Sequence, residues 1–142
     1  MPKLSVWMVK ASLIYMGIGF FFGSLILHHK GIPIYPWTWK LLNPHIEIMI
    51  FGWTIQLVMG VAFAILPRFS DRDNRYGAEY LGWWSFYLIN FGVALTALAE
   101  WNTSIGLTLL GRLLVLVAIL TFTIMVFPRV KPLGGFTVDQ KS

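Results

Sequence analysis

Residues 45–66 read HIEIMIFGWTIQLVMGVAFAIL, with Glu47 as their one carboxylate and no lysine or arginine. A bilayer-crossing helix needs about 20 predominantly apolar residues, and this stretch supplies them. Working outward, three more stretches have the same character, near Leu4–Leu27, Leu81–Ala99 and Ile105–Phe127. Together they take up most of the 142 residues. The expected fold is therefore all-α: one integral membrane domain over residues 1–142, a four-helix bundle with no separate soluble domain. Composition agrees. The chain is 57% hydrophobic and only 12% charged, where a soluble domain carries roughly twice that charge fraction. Its mean hydropathy is +0.70.

The first stretch does not read as a cleavable signal peptide: it is too long, Lys10 interrupts it, and no small-residue cleavage site follows. The absence of cysteine excludes cysteine-ligated iron–sulfur clusters, thioether-attached heme and disulfides. The formal charge of +5 is no nucleic-acid signature, because the basic residues fall in loops and termini. Lys3, Arg68, Arg72, Arg75, Arg129, Lys131 and Lys141 belong to one side, and Lys30 and Lys40 to the other. The positive-inside rule then places both termini in the cytoplasm of a multi-pass inner or plasma membrane protein. Trp37, Trp39 and Trp101 fall at the outer face as part of an aromatic belt.

At the head of the second stretch stands Asn43-Pro44-His45-Ile46-Glu47. Asn43 suits a helix N-cap and Pro44 the first helical position, so His45 is expected in the first turn. Ionisable groups at membrane depth are costly and tend to be functional, and neutral imidazole is a metal or heme ligand. On a regular helix His45, Met49, Gly52, Gln56, Gly60 and Phe63 share one face. Two readings of that face stand side by side. It is a helix-packing seam, with Gln56 hydrogen-bonded across it, or it is a face on which a flat heme approaches the backbone at Gly52 and Gly60.

Glu47, two residues from His45, points to a nearly opposite side and needs a partner. Arg112, about two turns into the fourth stretch from the same end, is the candidate; a heme propionate is the alternative partner for that guanidinium. His28 and His29 lie on the same side as His45 and are weaker candidates for a second ligand. Gly19 and Gly23 read as packing positions, Lys10 as a snorkelling cation and Asn90 as an interhelical hydrogen-bonder. Pro67-Arg68 and Pro128-Arg129 read as two helices stopping alike, or as the trace of a duplication. Hydrolytic and phosphoryl-transfer arrangements are missing: there is no Ser/His/Asp set, glycine-rich phosphate loop, HExxH or paired carboxylate.

The run from His45 to Phe69, with Gly52, Gly60 and the Pro67-Arg68 exit, resembles the second transmembrane helix of the heme–copper oxidase and nitric oxide reductase catalytic subunits. That resemblance covers about half the chain and implies heme b as cofactor, with His45 as an axial ligand of the iron. The family's later helices, which carry the second low-spin ligand and the binuclear-centre ligands, have no counterpart here. An oxidase activity of this chain alone is accordingly not implied. The second axial ligand is sought first in His45 of a second copy, across a symmetric homodimer, then in His28 or His29, then in another subunit.

Two functions follow as expectations. One is a small heme b protein of the electron-transfer type in a respiratory chain. It would be homo-oligomeric, with the heme shared between chains, and a quinol or another redox protein as its partner. The other is a non-catalytic accessory subunit of a larger respiratory or photosynthetic membrane complex. A transporter is disfavoured by the scarcity of intramembrane polar residues.

Overall fold

Each apolar stretch forms a helix long enough and apolar enough to cross a membrane in the computed structural model, which describes residues 1–33, 35–67, 69 and 76–130. We call these helices span one (Lys3–Gly31), span two (Pro36–Ile65), span three (Glu79–Trp101) and span four (Ile105–Arg129). Arg68, Arg72, Arg75, Lys131 and Lys141 lie outside the described residues.

The spans pair as two antiparallel hairpins. Span one packs along span two and span three along span four, and the hairpins meet chiefly where span two touches span three. The pairing follows from small residues at the seams. Without a hydrophobic driving force between helices in lipid, close backbone approach and buried polar links hold helices together. A Cβ at Gly60 would lie 2.9 Å from Met8 Cβ and 3.3 Å from the Val9 nitrogen, so span one runs directly over that position. Ser5 Oγ donates to the Gly60 carbonyl at 2.6 Å across the same seam. In the second hairpin, Ser85 Oγ donates to the Ala118 carbonyl at 2.7 Å. A Cβ at Gly92 would lie 2.8 Å from the Gly111 carbonyl oxygen.

Span two departs from the expected regular helix in two places. Its start is a 3-10 turn, Pro36–Leu41, that continues without a break into α-helix Leu42–Glu47. Asn43 is therefore inside the helix and does not cap it; its amide instead donates to Glu100 Oε2 at 2.8 Å. Pro36, not Pro44, holds the first-turn position where a missing N–H costs nothing. The second departure is a π-helical segment, Ile48–Ile55, between two α-helical stretches. Thr54 Oγ1 donates to the Met49 carbonyl, five residues back, at 2.9 Å. Such segments are rare and are enriched at functional sites.

The two Pro-Arg exits also differ. Span two stops at Ile65, and Leu66 is extended (φ −59°, ψ 144°), as the residue before a proline prefers. Span four instead runs through Pro128 in a 3-10 turn, Phe127–Arg129, which carries Arg129 inward until only 1% of it is exposed. There Arg129 Nε donates to the Pro67 carbonyl at 3.0 Å, and Nη2 to the Phe63 and Leu66 carbonyls at 3.0 and 2.8 Å. Its guanidinium lies 4.8 Å from the centre of the Phe63 ring and 5.8 Å from that of Tyr76. The end of one hairpin thus caps the orphan carbonyls at the end of the other.

Candidate functional site

His45 sits half-buried on the flank of span two that faces span one. Its Nδ1 lies 2.8 Å from the Gly19 carbonyl oxygen. A carbonyl only accepts, so Nδ1 carries the proton and donates, and in the neutral ring Nε2 keeps its lone pair. Among the described residues Nε2 has no hydrogen-bond partner. Gly23 makes room for the ring: a Cβ there would stand 3.0 Å from His45 Cε1. A histidine whose Nδ1–H is held by a backbone carbonyl has the tautomer and orientation typical of a metal-ligating imidazole.

The rest of the stripe lies against span one, one turn after another. Met49 fills the space over Gly19, Tyr15 lies over Gly52, and Met8 and Val9 lie over Gly60. Phe63 is buried beneath Arg129 and Tyr76. In this chain those glycines serve the packing of two helices, and a macrocycle laid on them would have to displace span one. Gln56 falls level with Ser12 by that antiparallel register. It is fully buried, and among the described residues neither its amide oxygen nor its nitrogen has a hydrogen-bond partner. The expected hydrogen bond across the seam is therefore not made.

The other histidines are placed differently. His28 is exposed, while His29 is buried, accepts the Tyr35 N–H on Nδ1 at 3.2 Å and meets Trp39 edge-on. An accepting Nδ1 in a neutral ring puts the proton on Nε2, so His29 fastens the loop after span one and offers no free lone pair. Asn90 donates to the Phe86 carbonyl of its own helix at 2.7 Å; the interhelical link there comes from Tyr15, whose hydroxyl donates to the Asn90 carbonyl at 3.3 Å. No group of three or more His, Cys, Asp or Glu fit for a metal ion occurs among the described residues.

On the opposite flank of span two the structure assembles a charged cluster. Arg112 Nε donates to Glu47 Oε1 at 3.3 Å, and Arg112 Nη2 donates to Glu100 Oε1 at 3.1 Å. The Glu47–Arg112 pair is the one read from the sequence. Glu100, which pairs two carboxylates on one guanidinium, was not. Its signal is its place in the last turn of span three, at the same end of the bundle as Asn43 and Glu47. Residues two apart on a helix differ by roughly 200°, so Arg112 and His45 serve different flanks.

Three cavities open at this end. One of about 370 Å³ is lined by Glu47, Phe51, Arg112, Val115, Leu116 and Ile119. A second of about 480 Å³ lies beyond Arg112 and includes Asn43, Glu100, Thr103 and Thr108. The third, of about 510 Å³, is apolar and runs between Tyr15, Pro44, Ile48 and Trp101. His45 lines none of the three. Thr103, on the wall of the second, adopts φ 56°, a left-handed conformation that a β-branched residue rarely takes. It follows the C-cap of span three, where glycine is usual.

Comparison of the chain with family models, with curated proteins and with solved structures gives no match.

Proposed function

We propose that this chain is a small heme b membrane protein of the electron-transfer type, inserted with both termini in the cytoplasm, with His45 as the axial ligand. The observation that carries this reading is the His45 ring itself. Nδ1–H is spent on Gly19 and Nε2 keeps an unused lone pair. When bound, heme supplies a one-electron Fe(III)/Fe(II) couple; the protein supplies the ligand and its orientation. Span one covers the glycine stripe, and the three cavities exclude His45. The heme is therefore assigned to the outside of the single chain, between His45 of one protomer and His45 of a second. A two-fold contact requires only one histidine per chain.

The test is a pyridine hemochrome assay and visible spectrum of the purified protein. Heme b is expected at one per two chains, and in His45→Ala it should fall below a tenth of the wild-type content. Wild-type protein without heme b, or His45→Ala with equal heme, would overturn the assignment.

One observation favours a second reading. The complete filling of the Gly19, Gly52 and Gly60 seam by Met49, Tyr15, Met8 and Val9 is what a non-catalytic accessory subunit of a larger membrane complex requires. Purification in a stable assembly with other subunits, without stoichiometric heme, would select it.

A further inference from the structure

Glu47 is 4% exposed, yet only one of its carboxylate oxygens is used. Oε1 accepts from Arg112 at 3.3 Å, and no hydrogen bond to Oε2 is made among the described residues. Glu47 stands on the wall of the cavity of about 370 Å³ whose floor is Phe51, Val115, Leu116 and Ile119, and Oε2 is not sealed off from it. A carboxylate oxygen open to an apolar cavity and without a protein donor is a ready acceptor for a ligand hydroxyl. Beside it, Arg112 leaves 55% of its side chain accessible and offers N–H groups to an acceptor. The site thus presents one acceptor and one cationic donor above an apolar, aromatic-edged floor.

We propose that this cavity binds a membrane quinol of the ubiquinol type, one hydroxyl of the ring donating to Glu47 Oε2 and the neighbouring methoxy oxygen accepting from Arg112. The prenyl tail leaves along Leu116 and Ile119. Three features separate this occupant from a phospholipid. Two carboxylates, Glu47 and Glu100, flank the one guanidinium, which repels a phosphate. Arg112 stands seven residues inside span four from Ile105, about 10 Å below that helix end at 1.5 Å per residue, deeper than a headgroup lies. The ligand's donor and acceptor must also sit side by side on an uncharged body, which a quinol ring provides and a fatty acyl chain does not. The inference deepens the electron-transfer reading by naming a redox-active ligand class. It concerns binding alone and is read independently of heme.

The experiment is photolabelling of the full-length protein in phosphatidylcholine–phosphatidylglycerol nanodiscs with a short-tailed ubiquinol analogue carrying a diazirine on its tail, kept reduced, the label being mapped by mass spectrometry. Label is expected on peptides carrying residues 47–51 and 112–119, displaced by unlabelled decylubiquinol. It should fall about tenfold in Glu47→Gln. It should fall equally in Leu116→Trp, which fills the floor and leaves the Glu47–Arg112 pair in place, so a folding defect is not mistaken for lost binding. Label spread over lipid-facing positions, displacement by phosphatidylglycerol or a sterol alcohol but not by decylubiquinol, or unchanged labelling in Leu116→Trp would each overturn the proposal. The map is obtained whether or not the protein carries heme, so a missing hemochrome and a missing localised label are separate results.

Discussion

Arg129→Ala is expected to destabilise the bundle by about 3–5 kcal/mol, the size of effect that breaking a buried hydrogen-bond network produces. Arg129 donates to three carbonyls at the end of span two and lies over Phe63 and Tyr76. Hydrogen bonds from a charged donor are each worth about 1.5–3 kcal/mol, and the truncated variant leaves the carbonyls of Phe63, Leu66 and Pro67 without that donor. Reversible unfolding in mixed micelles measures the loss. Arg129→Lys should recover less than half of it, because an ammonium cannot fork toward three acceptors from one fixed plane. A loss below about 1 kcal/mol in Arg129→Ala would show that the two hairpins do not depend on this clasp.

Gly111→Leu is the second large effect, about 3 kcal/mol, at the upper end of the usual cost of overpacking. A Cβ at Gly111 would meet Thr96 Oγ1 and stand 2.9 Å from both the Gly92 carbonyl oxygen and the Thr96 nitrogen. Two of these neighbours are backbone, which cannot rotate aside, so spans three and four must part. Gly106→Leu, at the second residue of the same helix, is the control. Nothing lies within 4 Å of its Cβ position, and its effect should stay within about 0.5 kcal/mol. Equal melting of the two variants would show that the close approach is not required.

The four helices were legible because length and apolar content suffice to identify a span. The Glu47–Arg112 pair was legible for a related reason: both residues lie toward the same end of the apolar stretches that carry them, and each needed an opposite charge. The purpose of the glycine stripe was not. Gly52 and Gly60 permit close approach by anything flat or slender, and only the side chains of span one, Tyr15 and Met8 among them, decide which. Glu100 escaped because its meeting with Arg112 depends on the tight turn through Thr103, where a left-handed residue brings span four back beside span three. The π segment escaped because hydrophobic periodicity over Ile48–Ile55 is nearly uniform, and a uniform pattern does not report its own period. Asn43 was misread because its cap position presumed that the helix begins there, whereas the 3-10 turn from Pro36 had already begun it.

The widened turn in span two is, in the language of genes, one codon more than a regular helix needs. A π bulge holds a residue that an α-helix would leave out, and each residue of an α-helix turns it by about 100°. Removing one residue from Ile48–Ile55 should therefore leave a continuous helix, shorter by one step, where the same deletion elsewhere in the span would throw its contacts out of phase. Its mark would be continuity: Gly60 would stay under Met8 and Val9, His45 beside Gly19 and Glu47 beside Arg112. Retained folding in that deletion, against unfolding of the same deletion placed elsewhere in the span, is the expected result, and equal unfolding of the two would argue against it. Span two would then carry a single codon that the contacts on either side of it do not need.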